Sequence, residues 1–291
     1  MTPFADPLLP HLLDILQAPA ARDLILAGGL GLNLKRHILL QEGGETLVSA
    51  ADWPDARATQ DLDFFLRMTI FTAKARAQEF ADLLQDLDYG VHKELFQFGK
   101  SVGEAPLEML VKVDLLSRQP KDEDGVRHDR VRVGNRSGNP VHGRTTPEAF
   151  AIDRIPQTLH VAGASTTGAE IECGVLVPHP FSWLNMKVRA AHDWLDERNG
   201  KIEPRSIPRS PKHVFDVIMI LAMLTPSAQQ ESQQLATEFR EHPEAIAIRA
   251  EAVELFAQET SQGWIEFRSQ TGTDLDHSLF WESLSTCLET E

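Results

Sequence analysis

Cysteine is scarce: Cys173 and Cys287 are the only two in 291 residues. That excludes a disulfide framework and a cysteine-rich zinc site, and makes a reduced cytoplasm the expected setting. Long apolar runs are absent. The longest, Val217 to Leu224, has eight residues, against about 20 for a membrane-spanning helix, so no membrane association is expected. Asp6 and Asp14 sit near the start with no basic cluster, so no secretory signal is expected. Positive charge is in deficit: 28 Lys and Arg stand against 43 Asp and Glu, a net charge of −15, which argues against a general nucleic-acid coat protein. Several catalytic signatures are also missing. There is no Gly-x-Ser-x-Gly, no Gly-x-x-x-x-Gly-Lys and no Gly-x-Gly-x-x-Gly before a helix. The 11 His form no His-x-x-x-His or His-Glu-x-x-His, and His92, His128 and His192 read as surface or structural residues.

What is present supports a folded protein. Hydrophobic residues make up 42% and charged residues 24%, with 14 Phe and five Trp to fill a core. The charge is uneven. From Glu231 onward 13 acidic residues face three basic ones, which accounts for −10 of the −15. Two stretches run the other way: Arg127, Arg130, Arg132, Arg136 and Arg144, and then Arg198, Lys201, Arg205, Arg209 and Lys212. Solvated loops account for both; a local anion site within an acidic protein is the alternative.

Hydrophobic periodicity divides the chain. A helix is expected over 8–18, a short buried strand over Leu24–Ala27 with a turn at Gly28-Gly29, and a helix over Leu30–Leu40. Residues 41–58 read as an inserted loop. Asp61–Arg67 alternates as a strand, residues 72–88 as a helix, and Tyr89–Val102 and Leu107–Leu116 as strands, with Val111 and Val113 on one face and Lys112 and Asp114 on the other. Residues 117–146 read as loop, and Ile155–Val161 and Glu170–Val177 as strands. Beyond Pro180 the pattern is helical: 181–197, 212–224, 228–240, 243–259 and 277–289. The fold class is therefore α+β, with an αβ core over 1–178 and a helical domain over 179–291.

The chemistry concentrates around Gly28-Gly29 and the segment RATQDLDFF. Asp61 and Asp63, two apart on a strand, point to one face, about 6–7 Å apart along it. Oxygen ligands of this kind suit Mg²⁺, which binds through one or two carboxylates plus substrate phosphates. A glycine turn at the start of a helix lets backbone N–H groups approach phosphate. An exposed Asp pair at a strand edge is the plainer account of Asp-x-Asp alone; the glycine pair favours a triphosphate–metal site.

LILAGG followed by RATQDLDFFL resembles the first motif of polymerase-β-like nucleotidyltransferases, in particular the AbiEii/AbiGii-type toxin branch. Arg57, Thr59, Asp61, Asp63 and Phe64 fall on its Arg-x-Thr-x-Asp-hydrophobic-Asp-Phe pattern. WLNMKVRAAHDWLDER resembles its helical motif, matched by Lys187, Val188 and Ala190. SPKHVFDVIMI resembles its last motif, (Lys/Arg)-Asp-x-x-Asp, matched by Lys212 and Asp216. The resemblance runs from about Leu24 to Leu224. It implies a Mg²⁺-dependent transfer of a nucleoside monophosphate from an NTP to an acceptor hydroxyl. It places Asp61 and Asp63 on the metal, joined by Asp114 as a third carboxylate on the metal or as proton acceptor. Gly28, Gly29, Arg57, Thr59, Lys187 and Lys212 would contact the nucleotide, which would lie between the two halves; Asp216, set among Val214, Phe215, Val217, Ile218 and Ile220, needs a partner, for which Lys187 is the candidate. RNA, tRNA in particular, or protein is the implied acceptor, and a cognate antitoxin the implied partner. Three positions depart from the pattern: Leu30 stands where Ser or Thr is usual, His213 stands for the first Asp of the last motif, and residues 41–58 lengthen the first spacer. A catalytically silent nucleotide- or partner-binding module, or an aminoglycoside-type small-molecule nucleotidyltransferase, would share these residues.

Overall fold

The computed structural model describes residues 4–290 except 56, 58, 60, 104–108, 135–137, 205–208 and 273–274. The basic residues Arg136 and Arg205 therefore lie outside the described residues. Ten α-helices and nine strands follow in chain order within the described residues. They are α1 (Leu9–Leu16), β1 (Ile25–Leu26), α2 (Gly28–Glu42), β2 (Asp61–Phe65), α3 (Met68–Thr72), α4 (Lys74–Asp86), β3 (Gly90–Val91), β4 (Gln97–Val102) and β5 (Met109–Ser117). Next come β6 (Arg132–Val133), β7 (Gly143–Thr145), β8 (Gln157–Ala164), β9 (Glu170–Val177), α5 (Pro180–Arg198), α6 (Lys212–Ala222), α7 (Pro226–Glu238), α8 (Pro243–Phe256), α9 (Gln262–Thr271) and α10 (His277–Leu288). The class is α+β, with a mixed sheet followed by helices.

Two compact units result. One comprises Met1–Gln41 with Arg57–Pro178, the other Glu42–Ala56 with His179–Glu291. The first holds the sheet, in strand order β3-β4-β5-β2-β1-β9-β8, with β7 also on β5 and β6 on β7. β1 is antiparallel to β2 and parallel to β9, and β2 is parallel to β5. Alternation explains the central strands. Leu62 and Phe64 of β2 and Val111, Val113 and Leu115 of β5 are fully buried, while Asp61, Asp63, Lys112 and Asp114 are half-buried on the opposite face. Burying side chains of this size contributes about 1.5–3 kcal/mol each.

The second unit is built around α5, which packs on α6, α7, α8 and α10. Buried His179 starts α5 as a side-chain cap: its Nδ1 accepts from the Phe181 N–H (3.2 Å), which leaves Nε2 to donate to Glu231 Oε2 (3.1 Å). Of the segment 41–58, read from sequence as an inserted loop, residues 42–56 belong to this helical unit, where the Leu47 N–H donates to the Leu224 carbonyl (2.9 Å). Helix α9 has no counterpart in the sequence reading, nor do β6 and β7, which fall in the expected loop. Among the described residues no helix is long and apolar enough to cross a membrane.

Candidate functional site

The backbone of β1 runs on into the site. The Ala27 N–H donates to the Asp63 carbonyl (2.8 Å), extending the β1–β2 ladder by one bond. Gly28 follows with φ +61°, and a Cβ there would come within 2.0 Å of Asp63 Oδ2. Both the left-handed backbone and this contact require glycine. A Cβ on Gly29 would meet Thr59 Cβ at 3.1 Å. Gly28 makes the sharp turn expected after the strand, and α2 begins at that same residue rather than at Leu30, with the Gly31 N–H bonded to the Ala27 carbonyl (3.2 Å). The N-terminus of a 15-residue helix, where backbone N–H groups lack intrahelical acceptors, thus stands beside Asp63. Arg57 is tied to the same helix: Asn33 Nδ2 donates to its carbonyl (2.8 Å).

Strand register brings the carboxylates together. Across the parallel β2–β5 pair, Asp61 faces Lys112 and Asp63 faces Asp114. Directly paired residues share a face, so four charged side chains form one patch with an excess of negative charge. Lys112 Nζ lies 3.7 Å from Asp61 Oδ1, an ion pair beyond hydrogen-bonding distance, and that buried oxygen has no hydrogen-bond partner among the described residues. Asp114 Oδ1 accepts from Gln97 Nε2 of β4 at 2.6 Å. Gln97 is absent from the sequence reading, because its register opposite Asp114 is a tertiary fact that no local spacing reveals.

The donor set fits a hard divalent cation. It offers carboxylate oxygens on one face, a like-charge pair in register, and one buried oxygen without a hydrogen bond among the described residues. Among the described residues no three His, Cys, Asp or Glu side chains are arranged to hold a metal by themselves. Two protein carboxylates with substrate oxygens completing the shell is the mode that Mg²⁺ commonly adopts.

A second constellation lies within the helical unit. Lys187 of α5 and Asp216 of α6 are both buried, 7% and 4% exposed, and Lys187 Nζ donates to Asp216 Oδ2 at 2.8 Å. His213, one turn before Asp216, places Nδ1 3.2 Å from the same oxygen. Burial pushes the His213 imidazole down to about 4, and the bond to Asp216 opposes that shift without reversing it. His213 is therefore neutral near pH 7, and its Nδ1–H donates to Asp216. Lys212 is exposed at the start of α6, with its backbone N–H on Ser210 Oγ (3.3 Å).

The basic segments differ in how their charge is used. Arg198 pairs with Glu266 (3.3 Å), Lys201 with Asp196 (3.0 Å) and Glu254 (3.1 Å), and Arg209 with Glu197 (2.5 Å). In the α/β unit Arg132 lies 3.6 Å from Glu94 and 3.5 Å from Asp129. Arg127, Arg130 and Arg144 are exposed, with no ion pair among the described residues. Arg130 borders an open cavity of about 390 Å³ with His128 and Thr145.

Comparison with curated proteins finds no match. The family model for the nucleotidyl transferase AbiEii toxin of type IV toxin–antitoxin systems matches residues 11–289, spanning both the glycine–carboxylate patch and the Lys187–Asp216 pair. The chain belongs to this nucleotidyltransferase family.

Proposed function

We propose that the protein transfers a nucleoside monophosphate from an NTP to an acceptor hydroxyl, with the triphosphate held at the first turn of α2. The observation that carries this reading is Gly28 standing against Asp63, which itself faces Asp114 across the sheet. Asp61 and Asp63 would hold Mg²⁺; when bound, the ion supplies charge neutralisation of the triphosphate and the leaving pyrophosphate. Backbone N–H groups at Gly28 and Gly29 offer hydrogen bonds to phosphate oxygens. Arg57 and Thr59, set against that turn, orient the nucleotide. Asp114, oriented by Gln97, accepts the proton of the attacking hydroxyl. The family resemblance assigns Lys187, held by Asp216 within the helical unit, and Lys212 to offsetting negative charge on nucleotide phosphates.

The acceptor reading follows charge. Arg127, Arg130 and Arg144 supply cations that the protein does not neutralise among its described residues, which supports an anionic acceptor such as tRNA or another RNA. A cytoplasmic setting provides NTP, Mg²⁺ and RNA together, and membership of a toxin–antitoxin family implies a cognate antitoxin.

The test is direct. Purified protein is incubated with each radiolabelled NTP in turn, Mg²⁺ and total RNA or cell lysate. Label should appear in RNA from one preferred NTP, and not with Asp63→Asn. Label confined to protein would move the acceptor to a polypeptide. No label from any NTP, alongside retained nucleotide binding, would favour the silent module.

A further inference from the structure

A second cavity lies within the α/β unit, between the C-terminal half of α2 and the β8–β9 hairpin. Its volume is about 290 Å³, and its walls include Phe4, Leu34, Ile38 and Val161, with Glu170 and Glu172 on one side. That size is at the lower end of the ~300–1,000 Å³ typical of ligand pockets. It suits one ring or a short alkyl chain. The apolar wall is organised: His37 on α2 contacts the Phe4 ring, centroids 5.2 Å apart, and its Nε2 bonds Gln41 Nε2 (2.7 Å).

The polar side is equally specific. In the antiparallel hairpin Glu172 pairs with Ala162 and Glu170 with Ala164. The two carboxylates therefore leave the same face, about 6–7 Å apart along β9. Neither takes part in an ion pair or side-chain hydrogen bond among the described residues; the basic side chains that line the cavity there are His37 and His160, with no Lys or Arg. Two uncompensated carboxylates beside an apolar recess select a ligand that carries positive charge at one end and hydrocarbon at the other. The recess is distinct from the glycine–carboxylate patch: Gly28 opens α2, and Ile38 lies ten residues further on, about 15 Å along the axis.

We infer that this cavity is a binding site for a small organic ammonium, its apolar body against Phe4, Leu34 and Ile38 and its cationic head between Glu170 and Glu172. The inference is independent of the nucleotidyl-transfer reading. The test uses the full chain and two probes of equal shape, 2-phenylethylammonium and neutral 2-phenylethanol, titrated by calorimetry and ligand-observed NMR at fixed ionic strength. The ammonium should bind saturably, and the alcohol about tenfold more weakly or worse. Glu170→Gln with Glu172→Gln, both at exposed positions, should remove that preference. Ala162→Phe, also exposed on the cavity face of β8, should block both probes while thermal melts stay unchanged. Equal binding of the two probes by the wild-type protein, no saturable ammonium binding, or binding unaltered by either variant overturns the inference. The wild-type comparison decides even if a variant fails to fold.

Discussion

Arg189, Arg198, Lys201, Arg209 and Arg240 of the helical unit each face at least one carboxylate, and the buried Lys187 faces Asp216. In the α/β unit Asp63 and Asp114 are direct neighbours across β2 and β5, Asp61 has a loose contact to Lys112, and Arg127, Arg130 and Arg144 face no acid among the described residues. Several pairs of the helical unit join one helix to another, as Arg189 of α5 does with Glu244 and Glu251 of α8, so they contribute to holding its helices together. The α/β unit has pairs of its own, Arg76 with Asp23 and Arg118 with Asp124 and Asp153, but it also keeps Arg127, Arg130 and Arg144 open, without an acid partner among the described residues, which favours a ligand of opposite sign. Cations without an internal partner are thus a better guide to where an anionic ligand binds than charge density along the chain. The dense basic stretch 198–212 shows the contrast, because three of its described cations already have internal partners.

The largest expected effect breaks the open side of this comparison. Asp63→Asn should lower nucleotidyl transfer by about 10³-fold or more, the scale of losing a central electrostatic group. It removes a charge from a like-charge pair, so the melting temperature should stay within a few degrees. A variant that keeps more than a tenth of the wild-type rate in the labelling assay would sink the metal role of this residue.

The closed side should respond in stability. Asp216→Ala leaves Lys187 buried and uncompensated, a cost of about 3–5 kcal/mol in urea denaturation. Lys187→Met combined with Asp216→Leu replaces the pair by apolar groups and should recover most of that stability while transfer remains lost. If the single variant costs under about 1 kcal/mol, the pair is hydrated rather than buried.

Two helical-unit groups predict opposite pH slopes. Burial pushes Glu251 up to about 7 despite its contact with Arg189, so the folded protein holds this proton more tightly than the unfolded chain. Its contribution is full below about 4.5 and is lost as pH rises through 7. His213, pushed down to about 4, resists protonation when folded, so its contribution is present above about 6.5 and lost as pH falls towards 4. Between pH 4.5 and 6.5 the two oppose each other. Glu251→Gln should therefore make acid loss of stability steeper, by an amount of order 1 kcal/mol, in melting temperatures recorded across that range. An unchanged profile would mean that Glu251 does not titrate there.

Much of the α/β patch was legible because strands encode faces locally. Asp61 and Asp63 two apart, with Leu62 and Phe64 between and beyond them, specify one charged and one buried face without reference to the rest of the chain. Asp114 was legible on the same ground. The Asp63–Asp114 pairing was not, since register between β2 and β5 depends on how 43 intervening residues fold. Gly28-Gly29 reads locally as a turn; only the contact with Asp63 explains why the helix starts there. Helix α9 was hidden for a related reason. Its apolar residues are sparse, and Trp264 and Phe267 are held by each other and by Phe280 of α10, with centroids 5.6 and 6.0 Å from the Trp264 ring. The Lys187–Asp216 pair lay between these extremes: a charged residue inside an apolar helix demands a partner, and the resemblance supplied Lys187.

The smallest effect sharpens the comparison between the two basic segments. Electrostatic contact with RNA releases counterions, so each phosphate met by an open cation steepens the log–log salt dependence of binding by about one unit. Arg127→Ala, Arg130→Ala and Arg144→Ala together should flatten that slope by two to three units if all meet phosphates. Arg198→Ala with Lys201→Ala should scarcely move it, because those cations are already partly screened by Glu266, Asp196 and Glu254. Their loss should instead appear as a change of about 1 kcal/mol or less in stability, as for exposed ion pairs generally. RNA affinity measured by fluorescence anisotropy from low to moderate salt separates the two sets. If the second set flattens the slope as much as the first, internal pairing does not withhold charge from RNA. If neither set does, the acceptor is not held through its phosphates, and a protein or small-molecule acceptor replaces it.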